Sequence, residues 1–426
     1  MRNAWVLLVA ASILGCKHEP GSQGGVNDLS VAASDLTGAA PPDLTGVAPP
    51  DLFGIPPGDM AKPPGDLAGS PTMSSKWVMG YYAGYETTDY PVASIYWDGL
   101  SHIAVAFYLP NSDGTLDTSL FQGGSDGPKL AKAIVDAAHA HGKKAIISIG
   151  GSDTRPGWVG AASAANRSKF VSNLVALLTD PGFDGIDFDW EPVDYSADAA
   201  SIKALVEAVR AAAPSSILTM PVFPQNTNIP DDLSLYGQIH GSLDQLNLMS
   251  YGMAGAYPGW KSWHSSALYQ SDSLAPTSIH ESAAAYVAAG VPKAKLGVGS
   301  GFYGLCYSSP VTAPLQALNG ATIKANDGKM SYRNIVTGYE TLGNATKIYD
   351  AAAKVPYLTF TSESGAQGCR YVTYEDPQSI ADKSAYVKAQ GYGGTIIWTI
   401  NQGYLPAAAV GARDPLLAAF KAGLLD

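Results

Sequence analysis

Residues 184–191, Asp-Gly-Ile-Asp-Phe-Asp-Trp-Glu, alternate acidic and apolar side chains with a period of two. Successive side chains of a β-strand point to opposite faces, so Asp187, Asp189 and Glu191 share one face and the apolar residues share the other. This pattern predicts a barrel strand with acids inside and apolar groups against outer helices. Pro192 follows and cannot continue a strand ladder, so we expect the strand to end at Glu191.

Three neighbouring carboxyls inside a barrel are unfavourable to bury, and their like charges oppose joint ionisation. Proteins keep such groups mainly where shifted pKa values are used. A solvated acidic loop is one alternative, but it leaves the interleaved Ile186, Phe188 and Trp190 unexplained. A metal cluster is another, but it would favour His or carboxylates from elsewhere in the chain. We therefore predict catalytic acids, with neither a metal ion nor a cofactor.

Strand-like and helical runs alternate on both sides of this stretch. Eight apolar runs are typical of strands: 77–82, 102–108, 144–149, 183–190, 217–222, 243–251, 296–300 and 395–399. Apolar residues at three- and four-residue spacing predict helices at 129–141, 167–178, 201–212 and 279–289. The alternation predicts an α/β fold, a (β/α)8 TIM barrel over residues 76–426. The long interval 303–392, with strand-like pieces at 357–361 and 370–373, predicts a small α+β insertion between strands 7 and 8.

The first 75 residues differ from the rest. Residues 1–16 have a positive Arg2, a short apolar run and Ile-Leu-Gly-Cys at 13–16, which resembles a bacterial lipobox with Cys16 as the lipidated residue. The apolar run is about half the roughly 20 residues that a spanning helix needs. Residues 17–75 repeat Pro, Gly and Asp and predict a disordered linker. We expect an exported protein anchored to the cell envelope by lipid; the alternative is an ordinary cleaved signal and secretion.

Charge and cysteine content limit the partners. The net charge is −11, only 15% of residues are charged, and no run of Lys or Arg occurs, which argues against nucleic-acid binding. We expect a monomer that meets a membrane only through the lipid. Cys306 and Cys369 remain as a pair in an exported protein and suggest a disulfide, the alternative being two separate buried thiols.

The acidic stretch resembles the signature of family 18 glycoside hydrolases, the chitinase family. The resemblance extends over nearly the whole chain from Trp77. Partial matches occur in the same order as in the family: Gly80-Tyr81-Tyr82, 103–107, 148–151, 249–251, 299–304, 371–383 and 393–398.

The resemblance implies a division of roles. Glu191 would be the general acid that protonates the glycosidic oxygen. Asp189 would orient the substrate's acetamido group, whose carbonyl attacks the anomeric carbon in place of an enzyme nucleophile. Asp187 would tune Asp189, and Tyr251 would donate a hydrogen bond to the acetamido oxygen. The remaining implied positions are a supporting Ser148, a sugar-site floor at Trp398, and sugar contacts at Tyr81, Phe107, Met249 and Tyr303.

The implied function is a chitinase that cleaves β-1,4-linked N-acetylglucosamine polymers or oligomers with retention. Two alternatives are an endo-β-N-acetylglucosaminidase acting on N-glycans and a chitinase-like lectin without activity. Lectins of this kind typically lose the acid, which is present here as Glu191. One departure concerns the residue after Tyr251, usually Asp in the family and here Gly252; another is the absence of acids from residues 399–403.

Overall fold

The computed structural model describes residues 76–122, 126–269 and 272–426. The predicted signal peptide, the predicted lipid site at Cys16 and the predicted linker all lie outside the described residues. Within the described ranges, no helix is both long enough and apolar enough to cross a membrane.

Eight parallel strands close into a barrel, as predicted. The strands of the chain are β1 (Trp77–Ala83), β2 (His102–Pro110), β3 (Leu116–Asp117), β4 (Lys144–Gly151), β5 (Gly185–Trp190), β6 (Ile217–Val222), β7 (Gln245–Leu248), β8 (Leu296–Gly301), β9 (Leu305–Tyr307), β10 (Ile323–Ala325), β11 (Ala345–Asp350), β12 (Val355–Ser364), β13 (Cys369–Thr373) and β14 (Gly394–Trp398). The barrel runs β1-β2-β4-β5-β6-β7-β8-β14, and β14 pairs back to β1. The short strand β3 adds antiparallel to β2.

Helices lie between the barrel strands. They are α1 (Asp126–Ala140), α2 (Arg155–Ala161), α3 (Arg167–Ala176), α4 (Tyr195–Ala212), α5 (Ser234–Ile239), α6 (Ile279–Ala288), α7 (Tyr332–Gly338), α8 (Pro377–Gln390), α9 (Ile400–Gly403) and α10 (Pro415–Phe420). The predicted helix 201–212 begins earlier, at Tyr195, because the Asp194 carboxylate accepts from the backbone N–H groups of Ser196 and Ala197 and caps the first turn.

The apolar side of β5 faces the helices. Ile186, Phe188 and Trp190 are buried in the main core, and Trp190 stacks on Trp158 of α2 with ring centroids 5.1 Å apart. The side chains between them face the barrel interior, as the alternation predicts.

The predicted strand 243–251 was too long, since β7 covers only Gln245–Leu248. The Ser250 backbone N–H bonds back to the Leu248 carbonyl at 2.9 Å, which turns the chain out of the sheet. The Ser250 side chain then bonds both the N–H and the carbonyl of Gly299 on β8, each at 2.9 Å. The Ser250 side chain thus makes the hydrogen bonds to β8 that the backbone of a longer β7 would make.

A second, antiparallel sheet lies between β8 and β14, as predicted, in the order β10-β9-β13-β12-β11. Cys306 of β9 and Cys369 of β13 form a disulfide with Cα atoms 5.2 Å apart. The sheet ends at Thr373, and α8, inside the predicted interval 303–392, packs instead on β8 and α10 of the barrel. The last part of that interval is therefore a barrel helix. Asp376 and Ser379 form a capping box at its start, and Pro377 is its first helical residue.

Candidate active site

The acids of β5 lie near the carboxyl end of the barrel, where barrel enzymes carry their chemistry. Neighbouring β4 approaches closely at Gly150, where a Cβ atom would lie 2.1 Å from the Asp189 carbonyl oxygen. That carbonyl also accepts from the Trp158 indole N–H at 3.2 Å. The segment 148–151, one of the partial family matches, therefore packs against the backbone of Asp189.

Asp187 is fully buried and accepts three hydrogen bonds. Its oxygens accept from the hydroxyls of Tyr81 and Ser148, each at 2.7 Å, and of Thr219 at 2.5 Å. Burial raises the pKa of Asp187, and the three donors oppose that shift. Ser148 contacts Asp187 as expected, while Thr219 was missed. Thr219 lies on β6 directly opposite Asp187 of β5, and a hydroxyl within the predicted strand 217–222 was the only sign of this contact in the sequence.

The carboxyls of Asp189 and Glu191 are neighbours that interact directly. Burial and the Glu191 charge raise the pKa of Asp189 well above its usual value. Burial raises the pKa of Glu191 to about 7, the interaction with Asp189 opposes the shift, and the charges of Asp153 and Asp187 add to it. Glu191 is only 7% exposed. A carboxyl with this pKa holds a proton for a large part of the time near neutrality.

The segment after Glu191 is held from β4 and α2. The Arg155 N–H donates to the Glu191 carbonyl at 2.9 Å. The Arg155 guanidinium makes two 2.8 Å bonds to Asp198, which also accepts from the Asp194 N–H. This bidentate pair ties the end of β5 to α4. Asp153, exposed on the turn before Arg155, was not predicted as a site residue and is the charge that reaches Glu191 from this side.

Aromatic rings gather beside the acids. Trp398 at the end of β14 stacks on Phe107, with centroids 5.5 Å apart and planes 22° apart. Both rings are 8% exposed, so each shows a limited face to solvent. The Tyr81 ring lies 5.7 Å from Trp398, but its hydroxyl is used by Asp187. Tyr81 therefore supports Asp187, and its predicted contact with the sugar stays a prediction. Met249 packs at the edge of this group.

Tyr251 and Tyr303 meet edge to face, with centroids 6.1 Å apart. Gly252 follows Tyr251 with a φ of +61°, and a Cβ atom there would lie 3.0 Å from the Tyr303 hydroxyl. The space beside the backbone at position 252 is thus taken by Tyr303, whose ring is 9% exposed. The Tyr303 hydroxyl therefore lies beside Gly252, the position at which the family usually has Asp.

A second acidic group, which sequence reasoning missed, lies behind Trp398. Gln402 of α9 donates from Nε2 to Glu86 at 3.1 Å and to Asp327 at 2.8 Å. Burial raises the pKa of Asp327, and Gln402 and the Trp398 side chain oppose that shift. Glu86 accepts from the Thr399 hydroxyl at 2.9 Å. Glu86 follows β1 and Asp327 lies in the insertion, so no local pattern in the sequence indicates that they are neighbours.

Among the residues that the structure describes, no group of three or more His, Cys, Asp or Glu side chains is arranged to hold a metal ion.

The profile of Glycosyl hydrolases family 18 matches residues 77–403. The chain belongs to this family. The chain is 30% identical to Endochitinase 1 of Metarhizium robertsii over 275 residues, which is 60% of each protein. It is also 30% identical to a probable endochitinase of Caenorhabditis elegans over 268 residues, or 57% of this chain and 40% of that protein. The chain thus spans 40–60% of the length of these curated relatives.

Solved structures share the fold. A chitinase from Rhizomucor miehei superposes with a TM-score of 0.67 at 25% identity, covering 82% of this chain and 100% of that chain. A class V chitinase variant from Nicotiana tobaccum, in complex with NAG4, superposes with a TM-score of 0.66 at 20% identity, covering 82% and 99%. The second likeness shows the fold alone.

Proposed function

We propose that this protein is a chitinase that hydrolyses β-1,4 bonds between N-acetylglucosamine units with retention, the substrate supplying the nucleophile. The observation that carries the proposal is the direct interaction between the neighbouring carboxyls of Asp189 and Glu191, beside an Asp187 that three hydroxyl donors occupy. Ordinary retaining glycosidases hold two carboxyls about 5 Å apart, and inverting enzymes hold them further apart still. Two carboxyls that interact directly fit neither arrangement well.

The third acid does not offer another nucleophile. Asp187 is fully buried and occupied by three hydroxyl donors. With Asp187 occupied and Asp189 beside Glu191, the arrangement favours a nucleophile that comes from the sugar. A 2-acetamido carbonyl is suitably placed within an N-acetylglucosamine unit to attack its own anomeric carbon. This argument favours a substrate rich in N-acetylglucosamine.

The proposed reaction starts with a proton on Glu191. Glu191 protonates the glycosidic oxygen while the acetamido carbonyl attacks the anomeric carbon and the leaving sugar departs. The Asp189 carboxyl accepts from the acetamido N–H through an oxygen, and Tyr251 donates to the acetamido oxygen as charge develops. The Glu191 carboxylate then takes a proton from water that opens the cyclic intermediate, which restores the acid and retains configuration.

The aromatic floor supports a carbohydrate substrate. Trp398 and Phe107 present flat apolar faces, and sugar rings carry apolar C–H faces that pack on such rings. The relatives named endochitinase and chitinase support chitin as the polymer.

The test is hydrolysis of a soluble N-acetylglucosamine hexamer by the purified protein, with products resolved by chromatography. We expect Glu191→Gln to lower turnover by about 10²–10⁴-fold because the proton donor is lost. It should still bind the hexamer in calorimetry. Glu207→Gln, an exposed acid of α4, is the matched control and should keep full activity. Binding without hydrolysis by the wild type would instead indicate a lectin. Cleavage of an N-glycan in preference to the hexamer would indicate the glycosaminidase.

We further propose an exported monomer carried by lipid at Cys16. The Cys306–Cys369 disulfide supports export, because disulfides persist in oxidising compartments. Cells grown with a clickable fatty acid should label the wild type and leave Cys16→Ser unlabelled. An unlabelled wild type would contradict the anchor, and light scattering of the purified protein tests the monomer.

A further inference from the structure

We propose that Lys383 is a positioning residue for Tyr251. The Lys383 ammonium orients the Ser266 hydroxyl, which in turn holds the carbonyl directly before Tyr251 in the chain. That Tyr251 donates to an acetamido oxygen rests on the proposed function. The contacts that place it belong to the free protein, so they are testable without a substrate.

Two consecutive buried serines hold the backbone on either side of Tyr251. The Ser266 hydroxyl donates to the Ser250 carbonyl at 2.6 Å, which fixes the peptide before the tyrosine. The Ser265 hydroxyl accepts from the Gly252 N–H at 3.1 Å, which fixes the peptide after it. The direction in which the Tyr251 ring leaves the backbone is therefore set by these two hydroxyls.

The groups that meet at Ser266 determine the direction of its hydrogen bonds. A serine hydroxyl has one proton to donate, whereas a lysine ammonium only donates and a carbonyl only accepts. Lys383 Nζ donates to Ser266 Oγ at 2.8 Å, so the hydroxyl proton is directed to the Ser250 carbonyl. Without the ammonium, the hydroxyl loses the donor that fixes its orientation.

Lys383 is held in turn by Glu375. The two side chains form an ion pair and are only 1% and 2% exposed. Glu375 also accepts from the Ser379 hydroxyl of α8 at 2.6 Å. Desolvation largely offsets the attraction within a buried ion pair, so stability alone does not account for it. Its consequence here is geometric, because it places a group that only donates against Ser266.

The two serines are anchored by different parts of the fold, although both lie between β7 and α6. Ser266 is held by Lys383 of α8. The Ser265 N–H instead donates to the Thr373 hydroxyl of β13 at 3.3 Å. Loss of the Lys383 contact should therefore loosen the peptide before Tyr251 and leave the bond after it in place.

The carbonyl before Tyr251 gives a direct test in the free protein. Ser-Tyr occurs at 250–251 and 331–332 only, so ¹³C at serine carbonyls and ¹⁵N at tyrosine give one correlated signal for each pair. Tyr251→Phe identifies the first signal by removing it. We expect Ser266→Ala to move the Ser250 carbonyl shift upfield, because the carbonyl loses its donor. The signal of 331–332 should stay in place as the internal control.

The double variant Glu375→Gln/Lys383→Met tests the ion pair, and it leaves no uncompensated buried charge that would prevent folding. We expect it to move the Ser250 carbonyl shift in the same direction as Ser266→Ala. Ser379→Ala is the matched control, because it removes a hydroxyl from the other side of the same pair and should leave the shift unchanged. An unmoved signal in the double variant, or an equal movement in Ser379→Ala, would overturn the proposal.

Hydrolysis of the hexamer tests whether the contact acts through Tyr251. Ser266→Ala should lower kcat by about tenfold or more with little change in KM, since the tyrosine acts as charge develops. Ser379→Ala should keep the wild-type kcat. Adding Ser266→Ala to Tyr251→Phe should cause no further loss, because the hydroxyl being positioned is already absent. A full further loss would overturn the proposal. If the wild type hydrolyses no chitin oligomer, the proposed function fails, and the Ser250 carbonyl still decides the positioning.

Discussion

At the scale of single residues, the pKa of Glu191 sets the working range of the site. Burial raises it to about 7, and the protonated form is the proton donor. We expect kcat/KM to be level on the acid side of pH 7 and to fall about tenfold per pH unit above it. Initial rates on the soluble hexamer from pH 5 to 9 measure this. A rate that climbs through pH 7 to 9 would contradict Glu191 as the acid.

The variant Asp153→Asn should shift the pH profile of kcat/KM. The Asp153 charge raises the pKa of Glu191, so the neutral amide should move the falling limb to lower pH. The residue is exposed, and its removal leaves the hydrogen bonds of Glu191 in place.

Gly252 is constrained both by its own backbone conformation and by a neighbouring side chain. Its φ of +61° disfavours other residues, and a Cβ atom would approach the Tyr303 hydroxyl at 3.0 Å. Gly252→Ala should destabilise the protein by about 1–3 kcal/mol in urea unfolding. Gly142→Ala is the control, because Gly142 has a φ of +67° and nothing within 4 Å of a Cβ atom. Equal destabilisation in the two variants would remove Tyr303 from the explanation.

At the scale of elements, local alternation was enough to predict β5 and the shared face of its three acids. It failed at β7, because residues 248–251 have the pattern of a strand. The Ser250 side chain instead bonds Gly299 of β8, and β7 ends before it. It also failed for Glu86 and Asp327, which only the closed barrel and its insertion bring together. Contacts between distant segments leave no period in the sequence, so sequence reasoning misses them.

The insertion sheet carries an element-scale prediction. The disulfide joins β9 to β13 and closes a loop with a sequence separation of 63 residues. Replacing both Cys306 and Cys369 with Ser should lower the free energy of unfolding by about 2–4 kcal/mol, because the unfolded chain regains freedom. Urea unfolding of the double variant measures the loss, and the reduced wild type should match it. An unchanged midpoint in both would contradict the disulfide.

At the scale of the molecule, buried acids make stability depend on pH. The folded pKa of both Glu86 and Glu191 is about 7, above the ordinary value of 4.5. Their contribution to stability is complete below 4.5 and is lost as pH rises through 7. His102, with a pKa lowered by burial to about 4, acts in the opposite sense, but only below its ordinary 6.5. Tm should therefore fall from pH 6.5 to 8.

The double variant Glu86→Gln/Glu191→Gln tests the source of that slope, since neither amide titrates. Its Tm, followed by calorimetry, should vary less between pH 6.5 and 8 than that of the wild type. A wild-type Tm that rises over this interval would contradict the assignment.

The three donors of Asp187 also connect the site to closure of the barrel. Ser148 and Thr219 come from the strands on either side of β5, whereas Tyr81 comes from β1, which closes the barrel by pairing with both β2 and β14. Without β1 in place, Asp187 would lack one of its three hydroxyl donors. The aspartate that serves the site therefore also favours the closed barrel over an open one.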